Sequence, residues 1–388
     1  MKKENLVPIN ASTFYEGMYI QGEIYFNYNK SFILLCRDVT LTPSLLTKFH
    51  QTEWANQQLY VDKQYVDEIR VLSEQFKKLN AEQPKLTADE ADVAEYMMDL
   101  TVKLNVHKDY TDIRNRLISV LEITEKEKRI PTELTEALTN DINTQIELTD
   151  HSLLIQCINN LRPPDDYLYA HATNVGVLNG MIGTWLKIPA EDMNALIQTG
   201  LYHDIGKLRV PAEIINKPSS LSKEEFEIIK KHPIYSYEIL KLSGETNNLI
   251  LEGILSHHER MNGTGYPSQL KVNQLSIFSR ITAVSDVYDA MVAQRPYKDR
   301  HSPFDILAEF ALNKFSNLDI SIVNIFLERM PQALIGKRVL LSDGNTAEVV
   351  YINPQNFSYP IVNVDGKLIS TNPSLRCVAM DNFLTVVE

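Results

Sequence analysis

The sequence predicts a mainly α protein, with a long all-helical middle and a small β-containing module at each end. Three observations predict it. Residues 64–165 hold few Gly or Pro and many Glu, Lys, Leu and Ile, and helical patterns continue to about 330. Residues 16–62 hold short β-branched and aromatic runs. The tail from 335 carries Asp343-Gly344 and Asp365-Gly366 between apolar runs, the signature of tight hairpins. At 388 residues, 44% hydrophobic and 23% charged, the chain is long enough for two or three domains with a real core.

The elements follow in order. "GMYIQGEIYF" and "SFILLC", separated by "NYNK", read as a hairpin; "LTPSLLTKFHQT" reads as a helix opened at Thr-Pro, and "QLYV" as a returning strand. Together they make a mixed α/β module over 1–63. Leu134, Leu138, Ile142 and Ile146 recur every four residues as one apolar stripe, so 64–164 reads as a helical connector, a segment suited to forming a homodimer. The all-helical domain is expected over 165–330. There, Asp165 or Asp166 is a candidate N-cap, and "PAEDMNALIQTGLYHDIGK" starts at Pro189 and stops at Gly206. Ser222 with Glu225 forms a capping box for the helix that delivers His232 before Pro233. Residues 331–388 form the second β module.

Composition narrows the function. A net charge of −12 opposes a surface built for nucleic acid or anionic membrane, although a local phosphate site is compatible with it. "MKKENLVPIN" has no apolar run behind its lysines, and no later stretch reaches the ~18 apolar residues that span a bilayer. Cys36, Cys157 and Cys377 lack Cys-x-x-Cys spacing and read as reduced thiols, which fits the cytoplasm.

Chemistry concentrates in the middle. Of nine histidines, five lie between 171 and 258, interleaved with aspartates as His171, His203-Asp204, His232, His257-His258 and Asp286. One lone helical histidine is usually an ordinary hydrogen-bonded residue; the ordered series is different, because imidazoles are costly to collect without metal or partners. Neighbours on a helix lie about 100° apart, so His203 and Asp204 cannot chelate side by side from one regular helix. They can line a cavity where helices converge, with a carboxylate bridging two cations about 3.5–4 Å apart that clamp a phosphodiester.

The stretches "HDIGKLRVP", "HP" at 232–233, "HHERMNGTGYP" and "SDVYDAMVAQRPYK" resemble, in order and spacing, the HD-GYP branch of the HD phosphohydrolase superfamily. The likeness covers about 165–330, and implies an all-helical HD-type catalytic domain that hydrolyses cyclic di-GMP to pGpG, with GMP as a further product. It implies two divalent metal ions, iron or manganese, with zinc, cobalt or nickel as alternatives. His171, His203, Asp204 and Asp286 would hold one ion, and His232, His257 and His258 the second, bridged by Asp204. Lys207 would face the scissile phosphate, and Gly265, Tyr266, Pro267, Arg295 and Lys298 would line the substrate cleft. Asp289 is either an outer partner of these ligands or an ordinary helix carboxylate. Two departures stand out: Tyr167 occupies a position where some members carry a glutamate for a third metal, and Met261-Asn262 replaces an aromatic-Asp pair. Hydrolysis of another cyclic dinucleotide, such as the 3′,3′ GMP-AMP hybrid, and a catalytically weak sensor remain as alternatives.

Overall fold

The computed structural model describes residues 6–9, 14, 19–28, 31–40, 59–66, 69–70, 90–160, 167–215, 217, 219–292, 302–312, 317–380 and 386–387. The helix expected at 41–52, the N-cap at Asp165 or Asp166, and Arg295 and Lys298 lie outside them. Two compact units result, Met1–Asn105 with Asn382–Glu388, and Val106–Asp381.

The first unit is an antiparallel sheet of β1 (Leu6–Ile9), β2 (Tyr19–Tyr28), β3 (Ser31–Thr40) and β4 (Leu59–Asp62), completed by Val386–Val387 in the order β1-β4-β2-β3 and then that last strand. The expected hairpin is β2–β3, closing at Tyr28 opposite Ser31, and the returning strand is β4. Ile24 and Tyr25 are buried in it.

The second unit is built on helices: α1 (Glu90–Glu127) from Val106 onward, α2 (Thr132–Leu148), α3 (His151–Asn160), α4 (Tyr167–Leu186), α5 (Ala190–Tyr202), α6 (Ala212–Ile215), α7 (Lys223–Ile229), α8 (His232–Leu242), α9 (Asn248–Leu255), α10 (Ile277–Val292), α11 (Pro303–Ala311) and α12 (Ile320–Leu334). A 3-10 turn, Ile205–Arg209, follows α5. One core joins Tyr110, Ile113, Leu117 and Leu121 of α1 and Leu138, Ile142 and Ile146 of α2 to the helices that carry the histidines. The helices read as a connector from the sequence therefore share the core of the histidine-bearing helices from Val106 onward. Each fully buried Leu or Ile there contributes about 1.5–3 kcal/mol of transfer free energy. Leu134 is half exposed although its three stripe partners are buried, because a four-residue step drifts about 40° per repeat around a 3.6-residue helix.

A five-stranded antiparallel sheet packs into the same core through Val339, Val349, Phe357 and Val362. It comprises β5 (Arg338–Leu341), β6 (Thr346–Asn353), β7 (Asn356–Val364), β8 (Lys367–Ser370) and β9 (Cys377–Met380). Both Asp-Gly hairpins form, with Gly344 at φ 90° and the Asp365-Gly366 pair at φ 49° and 82°, as a turn with two left-handed residues requires. Cys157 and Cys377 are buried free thiols. Among the described residues, no helix is long and apolar enough to cross a membrane.

Three packing features set up the site. Helix α4 is buried on nearly every face between Ala170 and Ile182, as a central helix must be. It crosses α5 backbone to backbone: a Cβ on Gly200 would stand 2.7 Å from the Gly176 Cα. The crossing lies five residues after His171 and three before His203, which brings the two imidazoles together. Gly206 in the 3-10 turn abuts the start of α8, where an added Cβ would meet the His232 carbonyl at 2.2 Å and the Ser236 nitrogen at 2.5 Å.

Candidate active site

Five imidazoles and two carboxylates converge from five segments of the second unit. His171 comes from α4, His203 and Asp204 from the end of α5, His232 from the start of α8, His257 and His258 from the turn after α9, and Asp286 from α10. His203, Asp204, His232 and His257 are essentially inaccessible, and His171 and Asp286 nearly so.

The local backbone differs from the expected helix boundaries in ways that matter. Helix α5 stops at Tyr202 rather than at Gly206; Asp204 has left helical geometry, with φ −104° and ψ 4°. That break lets neighbours converge, placing His203 Nε2 3.3 Å from Asp204 Oδ2. The capping box forms as expected, with Ser222 Oγ accepting from the Glu225 amide at 3.2 Å and Glu225 Oε2 from the Ser222 amide at 2.6 Å. It opens a short helix that ends at Ile229, however, and His232 instead begins the next helix. Pro233 explains this, since a residue without an N–H belongs in a first turn. Ser236 ties the two pieces together, its hydroxyl donating to the His203 carbonyl at 2.8 Å and accepting from the Gly206 amide at 2.8 Å.

Hydrogen bonds set the imidazole tautomers. Nδ1 of His203, His232 and His257 donates to the carbonyls of Gly200, Ile229 and Ile254, at 2.7, 2.7 and 2.6 Å. Nδ1 of His171 donates to Asp289 Oδ2 at 2.7 Å, and Asn174 Nδ2 donates to Asp289 Oδ1 at 2.7 Å. Asp289 is thus the outer partner of His171 that the sequence left open. With the proton on Nδ1, each Nε2 presents a lone pair to the cavity.

These lone pairs meet in couples. His171 Nε2 lies 3.2 Å from His203 Nε2, and His232 Nε2 lies 3.2 Å from His257 Nε2. Two acceptors at that distance repel unless a cation or proton lies between them. Ligands about 2.0–2.1 Å from a metal, at tetrahedral or octahedral angles, stand roughly 2.9–3.4 Å from one another. Asp204 divides its oxygens between the couples: Oδ2 is 3.4 Å from His171 Nε2, and Oδ1 is 3.1 Å from His232 Nε2. Asp204 Oδ1 is buried without a hydrogen-bond partner, as an oxygen meant for a cation would be. Asp286 Oδ1 lies 3.1 Å from His171 Nε2, and its Oδ2 lies 3.6 Å from His258 Nδ1. The donor atoms of His232, His257 and His258 fall within 4.8 Å of one another, as do those of His171, His203 and Asp286. This nitrogen and oxygen donor set fits divalent cations.

Electrostatics agree. Burial works to raise the Asp204 carboxyl, but His203, Lys207 and His232 beside it overcome that and hold it well below the ordinary range. Asp286 is likewise held low against burial, with His171 and His258 beside it. Burial keeps His257 and His258 far below the usual imidazole range, so both are neutral. Lys207 pairs its Nζ with Asp204 Oδ2 while remaining 22% exposed, the only one of the pair to reach the cavity mouth.

The Gly-Tyr-Pro loop forms a wall beside these groups. Tyr266 lies over His258 with ring centroids 4.7 Å apart and also faces His232 at 6.5 Å. Burial, with Asp286 and Asp204 nearby, raises its hydroxyl, so it remains a donor. Pro267 follows through a cis peptide. Gly265 packs its Cα under the chain of His258–Arg260, where a Cβ would sit 2.4 Å from the Glu259 Cα, so glycine is required there by packing. Asn262 retains an anchoring role, its Oδ1 accepting from the Thr264 amide at 3.1 Å and hydroxyl at 2.7 Å. Tyr167 begins α4.

Sequence reasoning missed Glu259 and Asn174. Glu259 is buried and accepts from the Ser268 amide at 2.6 Å and the Leu270 amide at 3.0 Å, clamping the loop from below. Its place directly after His257-His258 was the available signal.

A profile of the HD domain family matches residues 156–322. This segment is an HD domain. Among its curated relatives, the cyclic di-GMP phosphodiesterase PA4108 of Pseudomonas aeruginosa is 32% identical over 204 residues, 53% of this chain and 49% of that protein. The cyclic di-GMP phosphodiesterase PdeB of Borreliella burgdorferi is 28% identical over 226 residues, 58% of this chain and 59% of that one. The 3′3′-cGAMP-specific phosphodiesterase 2 of Vibrio cholerae is 29% identical over 206 residues, 52% of this chain and 39% of that one. The chain thus spans from about two fifths to three fifths of the length of these relatives.

Proposed function

We propose that this HD-GYP chain hydrolyses the phosphodiester bonds of cyclic di-GMP, giving pGpG and then GMP, at a centre of two divalent cations. One observation carries the reading: Asp204 shares its two oxygens between two couples of facing imidazole lone pairs, and its Oδ1 is buried with no hydrogen-bond partner. In this proposal His171, His203, Asp204 and Asp286 hold one cation, and Asp204, His232, His257 and His258 hold the other. Iron or manganese fits this mixed donor set, with zinc, cobalt and nickel as competitors decided by availability. Such a pair, when bound, supplies Lewis acidity toward a phosphodiester and lowers the pKa of water.

The chain's own residues do the rest. The Nδ1 hydrogen bonds hold each ring in its ligating tautomer. We assign to Lys207, which pairs with Asp204 and is 22% exposed, the neutralisation of charge on the phosphate and donation of a proton to the leaving 3′ oxygen. Tyr266 offers a ring face and a protonated hydroxyl, with Pro267, Arg295 and Lys298 assigned to the nucleotide. A second substrate, 3′,3′-cGAMP, is favoured by the name of the Vibrio relative.

The test is turnover by protein purified without oxygen and loaded with iron, manganese or zinc, on cyclic di-GMP and 3′,3′-cGAMP in parallel. Linear product from at least one is expected, and Lys207→Ala should lower kcat by about 10²–10⁴-fold with metal content unchanged. Nucleotide bound but intact with every metal would replace hydrolysis by sensing.

A further inference from the structure

The hydrogen bonds behind His171 do not stop at Asp289. Tyr110 of α1 sends its hydroxyl to Asn174 Oδ1 at 2.5 Å, Asn174 Nδ2 donates to Asp289 Oδ1 at 2.7 Å, and His171 Nδ1 donates to Asp289 Oδ2 at 2.7 Å. Tyr110, Asn174, Asp289 and His171 are 3%, 0%, 0% and 2% exposed. Four buried groups from three helices therefore form one chain that ends on a ligand of the candidate centre.

We propose that Tyr110 and Asn174 are positioning residues for the His171 half of the centre, a role that rests on the metal-binding reading above. The directions of the bonds make the case. An asparagine amide can occupy this space in two orientations, related by exchange of its oxygen and nitrogen. In one, the oxygen faces Tyr110 and the nitrogen faces Asp289. In the other, the amide oxygen faces a carboxylate oxygen and the two repel. The Asp289 carboxylate, which only accepts, selects the first orientation, and the Tyr110 hydroxyl, donating to Oδ1, holds the amide in it from the side away from the site. Asn174 then holds Oδ1 of Asp289 and leaves Oδ2 for His171 Nδ1. That final bond fixes the imidazole so that Nε2 faces His203, Asp204 and Asp286.

Groups that orient a ligating histidine typically change metal affinity 10–100-fold when lost. The effect should be local, because His232 and His257 are braced by backbone carbonyls instead. Tyr110 sits on the helix that begins at Glu90, so the geometry of His171 depends on how that helix is seated in the core. Rotating α1 by one residue, about 100°, would withdraw the hydroxyl from Asn174.

The experiment is titration of metal-free full-length protein with Mn²⁺ or Zn²⁺, followed calorimetrically and by metal analysis, with no nucleotide present. The proteins compared are the natural one, Tyr110→Phe, Asn174→Leu and Trp185→Phe. The last removes a hydrogen bond donated by Trp185, on the same helix α4, to His151 of α3, apart from the Tyr110–Asn174–Asp289–His171 series. Tyr110→Phe should weaken one of two sites about tenfold, Asn174→Leu at least as much, and Trp185→Phe neither site. A lowered melting temperature with both affinities intact in Tyr110→Phe and Asn174→Leu would overturn the inference and leave these residues a purely structural role. If Asn174→Leu does not fold, Tyr110→Phe decides alone, since it deletes a single oxygen. Natural protein that binds no metal would sink the metal reading itself, a result distinct from two intact sites in the variants.

Discussion

Replacing Gly206 by alanine sets two effects against each other, and magnitudes decide between them. Gly206 has no left-handed φ, so alanine is compatible with its backbone and should stabilise by about 0.4–1 kcal/mol through the unfolded chain. Against this, the new Cβ would stand 2.2 Å from the His232 carbonyl oxygen, 2.5 Å from the Ser236 nitrogen and 2.8 Å from Ser236 Oγ, where ordinary contact begins at 3.4 Å. Two of the three obstacles are backbone, so relief requires the 3-10 turn and α8 to separate by about 1 Å, at the 1–3 kcal/mol usual for overpacking. The same separation stretches the Gly206–Ser236 hydrogen bond, for about 0.5–1.5 kcal/mol more. Destabilisation wins, by roughly 1–3 kcal/mol. Function suffers further, because the movement carries His232 Nε2 away from Asp204 Oδ1, now 3.1 Å apart, and a 1 Å misplacement in a reacting centre costs about 10²-fold. Thermal unfolding and initial rates on cyclic di-GMP, each at saturating metal, measure the two consequences. A Gly206→Ala protein with unchanged or raised melting temperature and natural turnover would refute the claim that this turn is wedged against α8.

Two more predictions follow from the same geometry. Glu259→Gln removes a charge-assisted acceptor from the Ser268 and Leu270 amides, a loss of about 1.5–3 kcal/mol borne mainly by the loop; KM should rise more than kcat falls, and hydrogen exchange at those two amides should accelerate, whereas unchanged exchange would show the clamp to be idle. For pH, His257 and His258 are held well below 6.5 by burial, so the unfolded chain binds more protons than the folded one just below that value. Metal-free protein should therefore lose stability as pH falls through about 6.5, before the lowered Asp204 and Asp286 add their own loss below about 3.8; a melting temperature that stays flat from pH 7.5 to 5.5 would contradict this.

The seven converging residues were legible because their chemistry is dense: the pairs His203-Asp204 and His257-His258 announce themselves in a sequence otherwise sparing with histidine. The hairpins were legible because Asp365-Gly366 can adopt two left-handed residues in succession. What was not legible depends on single residues acting across long separations. Nothing about Gly176 and Gly200 says that they touch, yet their contact places His171 against His203. Asn174 reads as a polar residue spoiling an apolar helix until Asp289, 115 positions away, is seen beside it. Helix boundaries slipped for a related reason. Gly206 looks like a helix terminator, but the helix has already ended at Tyr202, because Asp204 must leave helical geometry for its oxygens to reach both couples of imidazoles.

The placement of the histidines carries a further electrostatic consequence. The carbonyls that accept from His203, His232 and His257 belong to Gly200, Ile229 and Ile254, each in the last turn of its helix. Terminal carbonyls of a helix have no partner within it and carry the negative end of its dipole. Each ring thus satisfies an orphan acceptor with Nδ1 and turns Nε2 toward the cavity in the same act. Three helices direct their negative ends at one small volume that already holds the carboxylates of Asp204 and Asp286, with positive charge returned by Lys207 beside Asp204 and Arg260 near Asp286. A core that merely tolerated histidines would relieve the repulsion of facing lone pairs by putting protons on them, but burial opposes charge on His257 and His258. A cation satisfies the facing lone pairs and the unpartnered Asp204 Oδ1 together, and that double requirement is a stronger argument for a metal centre than any count of its ligands.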